Sequence, residues 1–260
     1  MLDPKHAEKP PRKLRQLLKQ ISSDSLPEEV HALRTHARRM EALIAALAPN
    51  KPHKIRKLLK LIRQFRKAAG NVRDMDVLID HVVSFRREQD REVVVRLVEF
   101  LSTRRAKHAR ELGRVVARTG KEACWRLKRF ARQFVKIAAK SGEAGASAAP
   151  ETLTIELTDW PKLSADNLHS FRIRAKELRY VLQLNPADSR KQIEGLGKAK
   201  DVIGEWHDWM ELEHIAAKTL DAKKDAAALK AMQTIQKAKL KRALIVANET
   251  RRRYFKSSPA

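Results

Sequence analysis

The sequence predicts an all-α fold built from two related, antiparallel helical bundles. Three features predict it. The composition is rich in Ala, Leu, Lys, Arg and Glu, with only 8 Gly and 10 Pro in 260 residues, which favours helix nearly throughout. Apolar residues recur at helical spacing, so each helix has one face to bury. Two short motifs reappear after a linker, the signature of an internal repeat. With 43% hydrophobic residues the chain is globular and long enough to bury a substantial core.

Residues 1–11 read as a loose basic leader stopped by Pro10-Pro11, and a first helix follows over 12–21. A second helix over 27–48 starts favourably. Pro27 has a helical φ, and Glu28 and Glu29 sit at the positive end of the helix dipole. The third, over 51–69, is expected to stop at Gly70-Asn71, with Gly as C′ and Asn as the next N-cap. Asp74 then falls at capping-box spacing. Helices over 71–87, 90–118 and 120–140 complete an N-terminal half, 12–140. "SGEAGASAAPE" (141–151) has the composition of a flexible linker. "LTIELTDWPKL" (153–163) alternates apolar and polar residues and predicts a short strand or an extended arm. Helices resume over 164–184, 187–203, 205–220 and 223–250 as a C-terminal half, before a frayed basic tail, "RRRYFKSSPA" (251–260). The reading is one compact unit, 12–250, with flexible ends.

The charge balance narrows the partners. Lys and Arg number 56 against 31 Asp and Glu, a net charge of +25 that lies mostly in residues 1–140. Such an excess costs the compact state self-repulsion and points to a polyanion: nucleic acid, an anionic membrane or a phosphate polymer. No apolar run approaches the length of a spanning helix, and the N-terminus lacks an apolar signal core. A soluble cytoplasmic protein, not inserted in a membrane, is therefore expected. Cys124 is the one cysteine. It excludes an intramolecular disulfide and reads as a small core side chain.

The cations are ordered, not scattered. In "VHALRTHARRMEALIAAL" (30–47), taking His31 as zero, Arg34 lies at about 300° and Arg38 at about 340°. Leu33, Ala37, Met40 and Ile44 fall at about 180–240°, so the basic stripe borders the apolar one. In "LHSFRIRAKELRYVLQL" (168–184), His169, Arg172, Lys176 and Arg179 repeat the offsets, with Tyr180 beside them and Phe171, Leu178 and Leu182 on the core side. A third stripe, Arg56, Lys60, Arg63 and Lys67, follows one side of the helix before Gly70. Like charges at i,i+4 repel, and a bound anion compensates them. The second half keeps less of this stripe, with Lys198 and Lys200 nearby. Cations flanking a buried face line a groove in which Arg forks and His donors suit tetrahedral oxyanions.

"VHALRTHARRMEAL", "AAGNVRDMDVLIDHV", "LHSFRIRAKELRYVL" and "KAKDVIGEWHDW" together resemble the CHAD family, the histidine-bearing α-helical domain, over roughly residues 15–250. The resemblance implies two pseudo-symmetric helical bundles around a basic central cavity, binding of inorganic polyphosphate and association with polyphosphate granules. Members of that family often carry an attached triphosphate-binding domain; the 260 residues leave no room for one, so a stand-alone form is expected. Its motifs correspond here to His31, Arg34, Arg38 and Arg39; to Arg73, Asp74 and Asp76; and to His169, Arg172, Lys176, Arg179 and Tyr180. Two departures stand out. Glu41 occupies a place where the first motif often has Arg, and so either repels an anion or holds a neighbouring Arg. His207 replaces Arg in the second half. Arg39 points away from Arg34 on the wheel and ranks below the others.

Competing chemistries are weaker. His31 and His36 point apart, His207 and His214 lack a third ligand, and no metal-ligand spacing occurs. No metal or other cofactor is expected. Asp74, Asp76 and Asp80 offer carboxylates to a Mg²⁺ carried on phosphate, but capping and pairing with Arg73 is their simpler role. Nucleic acid is the runner-up partner on charge. Against it, aromatics are 5% of residues, and Trp125, Trp160, Trp206 and Trp209 read as packing residues. A phosphate-transfer enzyme would need a phosphate-cradling loop or a carboxylate pair that the stripes lack. The expected activity is binding, not catalysis.

Overall fold

Helix formers in long amphipathic runs give eight helices in the computed structural model, which describes residues 4–47, 52–85, 90–140, 148–183 and 189–255. They are α1 (Pro4–Gln20), α2 (Pro27–Leu47), α3 (His53–Ser84), α4 (Arg91–Lys140), α5 (Ala148–Thr158), α6 (Ala165–Leu182), α7 (Arg190–Thr219) and α8 (Ala226–Tyr254). Among the described residues there is no strand. The chain divides into two units: Met1–Asp76 with Thr103–Ala149, and Val77–Ser102 with Pro150–Ala260. Residues 77–102, placed with the N-terminal half by the sequence, thus belong with the second unit.

In unit 1, α1 packs on α2. The wheel's core face of α2 is buried as read: Leu33, Ala37, Met40 and Ile44 are all fully enclosed. Phe65, Ile62 and Val72 supply the matching face of α3, and Leu112 and Leu127 that of α4. The prolines expected to stop a leader lie inside α1. Their fixed φ is itself helical, so they forfeit hydrogen bonds without leaving helical geometry, and Pro11 is buried. Residues 1–3 of that leader lie outside the described residues, as do 141–147 of the linker and 256–260 of the tail.

Three predicted breaks are absent, because the glycines serve contact and not termination. Helix α3 runs through Gly70-Asn71, α4 through Gly120, and α7 through Gly204. Gly113 and Gly120 let backbone approach α4: a Cβ would stand 3.3 Å from Ser23 N at the first and 3.9 Å from Leu18 O at the second. Cys124 is half-buried beside α1, its thiol directed at Arg15 O at 3.8 Å, and burial raises its pKa.

Unit 2 centres on α6, α7 and α8, with α7 packed against both others. Phe171, Leu178, Leu196, Ile203 and Trp206 form its core with Ala243 and Ala247 of α8. The predicted strand over 153–163 is instead helix α5 and its exit. Leu153 and Leu157, four residues apart, both reach this core, while Ile155 between them is 61% exposed. The segment fits either period, and packing selects the helical one. The "frayed tail" is also corrected, since 251–254 end α8 in tertiary contacts. Arg251 donates to the carbonyls of Pro161 (3.1 Å), Thr158 (3.4 Å) and Trp160. Tyr254 Oη donates to Lys191 O at 2.8 Å, with its ring against Gly195.

Candidate anion-binding site

The clearest ordering of cations is on α6 and α7. Burial of Leu168, Phe171, Ala175 and Leu178 turns His169, Arg172, Lys176 and Arg179 to one flank of α6. Arg172 Nε donates to Lys200 O at 3.2 Å, and Arg179 Nε to Ile193 O at 3.3 Å. Each guanidinium lies across a glycine. A Cβ on Gly204 would stand 2.6 Å from Arg172 Nη2, and one on Gly197 would stand 3.5 Å from Arg179 Nε. Seven residues forward on α6 match seven back on α7, as antiparallel helices require. Three residues the other way, His169 meets His207, with ring centroids 4.2 Å apart and planes at 78°. Both Nδ1 atoms are buried without a hydrogen-bond partner. Burial lowers the His169 pKa most, followed by the charges of His207, Arg172 and Lys176. Lys176 and Lys200 are half-buried on the same two helices, and Lys200 Nζ pairs with Asp201. Tyr180 is half-buried one residue beyond Arg179.

Unit 1 repeats part of this on α2 and α3. The Arg34 guanidinium lies near Gly70, where a Cβ would stand 3.8 Å from Nε, and Nη1 donates to Asp74 Oδ1 at 2.9 Å. Seven residues on, the pattern changes. The place taken in unit 2 by Arg179 over Gly197 is held by Glu41 opposite Arg63. The Glu41 carboxylate stands 3.7 Å from Arg63 Nε and 2.9 Å from Arg66 Nε. Both readings of Glu41 have substance: it holds a neighbouring Arg, and it fills with negative charge a place where the other unit has a cation.

A family match decides the architecture's identity: the model of the CHAD domain family matches residues 11–217. This chain belongs to the CHAD family. The crystal structure of the CHAD domain from the plant Ricinus communis is similar, with a TM-score of 0.64 and 16% sequence identity over 96% of this chain and 89% of that chain. At that identity the likeness is one of fold. No curated protein matches this chain.

The remaining motif positions of this CHAD protein have distinct surroundings. His31 is exposed, with Nε2 3.5 Å from Thr35 Oγ1. Arg38 and Arg73 are half-buried, and Arg39 is exposed. Arg56, Lys60, Arg63 and Lys67 are all exposed along α3, so this stripe faces solvent. Asp74 and Asp76 neither cap a helix nor pair with Arg73, because α3 continues past both. Asp74 binds Arg34, and buried Asp76 accepts from Arg105 Nε of α4 at 2.6 Å. Arg105 also reaches Ser25 O at 3.3 Å, bracing the turn before α2. Sequence reasoning missed Arg66 and Arg105. It also missed the glycine seats, whose signal was available as Gly197 and Gly204 matching the spacing of Arg172 and Arg179. Among the described residues no three His, Cys, Asp or Glu stand together to hold a metal, and no helix is long and apolar enough to cross a membrane.

Proposed function

We propose that this CHAD protein binds inorganic polyphosphate as a non-catalytic module and associates with polyphosphate granules in the cytoplasm. The observation that carries the reading is the α6–α7 face. Arg172 and Arg179 are held across glycines by backbone carbonyls, with Lys176, Lys200 and the His169–His207 pair on the same helices. Such anchoring restricts the guanidinium planes before any ligand arrives, which reduces the ordering cost of binding. Repeating phosphates match repeated cations, and the sum of modest contacts is large and salt-sensitive. CHAD domains are associated with polyphosphate binding in general, which supports the same ligand class. Among the described residues, neither the α2–α3 nor the α6–α7 face offers an exposed Phe, Tyr or Trp on which a base would stack.

Competition decides it. Labelled polyphosphate is titrated at fixed salt, then displaced with DNA or RNA at equal phosphate concentration. Polyphosphate should be retained, and Arg172→Glu with Lys176→Glu should reduce its affinity at least tenfold. Retention of nucleic acid in preference, or indifference to both reversals, would overturn the assignment.

A further inference from the structure

Helix α4 contributes Arg105 to the interior, but its outward side carries a second array. Around the helix axis, Lys107, Arg114, Arg118, Lys121, Arg129 and Arg132 all fall within about 40° of Trp125. All seven are exposed. At 1.5 Å per residue the stripe runs about 37 Å. Of the carboxylates among and beside them, Glu122 is paired with Arg126 at 2.7 Å, and Glu111 is the one acidic residue inside the same sector, 3.9 Å from His108 Nδ1. Cations stacked on successive turns repel one another, and a bound polyanion relieves that repulsion.

Trp125 sets this face apart. It is 52% exposed, whereas Trp206 and Trp209 are 2% and 5% exposed, which corrects its reading as a packing residue. Arg129 Cζ stands 4.8 Å from its ring centroid and Arg126 Cζ 5.7 Å, so cation–π contacts hold the indole in place on the surface. Between residues 103 and 132 it is the one large apolar side chain exposed. A membrane-surface helix needs a broad apolar face, which is missing. Duplex DNA keeps its bases stacked inside, and polyphosphate has no bases. Cations that track a backbone, with an aromatic ring set among them, match the way unpaired strands are gripped.

We propose that the outer face of α4 in unit 1 is a binding surface for single-stranded nucleic acid, with Trp125 as the base-stacking platform. The assignment stands apart from the polyphosphate reading, since it uses different residues and a different contact.

The test uses the full chain and labelled oligonucleotides of about twelve thymidines or uridines, followed by anisotropy and by intrinsic tryptophan emission. Binding should quench the emission in step with the anisotropy. Trp125→Ala should remove the quench and weaken binding about fivefold or more. Arg118→Glu with Lys121→Glu should weaken binding while polyphosphate affinity holds. Circular dichroism checks that these surface variants keep their helix content. Anisotropy that saturates with unmoved emission, or unchanged affinity in Trp125→Ala, places the strand elsewhere and overturns the proposal. So does polyphosphate binding that weakens equally in Trp125→Ala. A blue shift with phosphatidylglycerol vesicles, in a protein that ignores both oligonucleotides, would make the face a membrane surface instead.

Discussion

Gly204→Ala and Gly197→Ala are the same change on the same helix, seven residues apart, yet they should act with opposite sign. Replacing Gly by Ala inside a helix stabilises by about 1 kcal/mol. At Gly197 nothing opposes that gain, because the new Cβ meets Arg179 Nε at 3.5 Å, an ordinary contact. At Gly204 the Cβ would stand 2.6 Å from Arg172 Nη2 and 3.2 Å from Cζ. The long Arg side chain can swing aside, but it then gives up its 3.2 Å hydrogen bond to Lys200 O. A hydrogen bond with a charged donor contributes about 1.5–3 kcal/mol. Subtracting the helix gain leaves Gly204→Ala about 0.5–2 kcal/mol less stable than the parent. The two variants therefore differ by about 1.5–3 kcal/mol, or roughly 3–12 °C in melting temperature for a chain of this size. Thermal melts followed by circular dichroism measure the gap. Polyphosphate affinity should fall only in Gly204→Ala, where the arginine has moved. If Gly204→Ala melts above the parent alongside Gly197→Ala, Arg172 is not seated against α7 and the description of that face is wrong.

Three further outcomes are expected. Glu41→Gln should raise polyphosphate affinity about threefold to tenfold by freeing Arg63 and Arg66, read by titration at low salt; a loss of affinity would instead make Glu41 the group that positions them. Burial and neighbouring cations hold the His169 pKa below its ordinary value, and bound phosphate raises it, so binding should take up protons and strengthen as pH falls from about 8 towards 6. His169→Gln with His31→Gln should flatten that dependence, and an imidazole NMR titration unmoved by ligand would refute the coupling. His36 titrates at about 4 instead of 6.5, chiefly through burial and then through Arg39 and Lys13. Its folded pKa is depressed, so on acidification the unfolded chain takes up the proton first. Stability is therefore lost from about pH 6.5 down to about 4, and His36→Gln should shrink the drop in urea midpoint between pH 7 and 4.5.

Helix faces were legible because burial leaves a periodic trace. The apolar stripe of α2 and the flanking positions of Arg34 and Arg172 could be placed from spacing alone. The glycines were misread because a local rule, Gly as helix terminator, competed with a long-range cause, an arginine lying across the backbone from another helix. Spacing also could not assign partners. Asp76 looks like a cap or a mate for nearby Arg73, yet its partner is Arg105, 29 residues away on α4. Trp125 failed for a related reason. Aromatics are usually inside, and its exposure depends on which side of α4 the rest of unit 1 covers. The alternation in 153–163 was real but too short to separate two periods.

Helices α3 and α4 each change unit partway along, at Asp76/Val77 and at Ser102/Thr103. On a ribosome this matters. Residues 77–102 emerge well before the 150–260 segment with which they belong. Val82, Phe85, Leu97 and Leu101, buried in the finished fold, must wait uncovered while the intervening chain is made. At about 5–20 residues per second, synthesis from residue 102 to the end of α8 takes about 8–30 seconds. Neither unit is one continuous stretch of chain, so cutting at the linker would strand residues 77–102 on the wrong fragment. A nascent chain halted near residue 150 should accordingly bind chaperones through 77–102, and release them once α8 is complete.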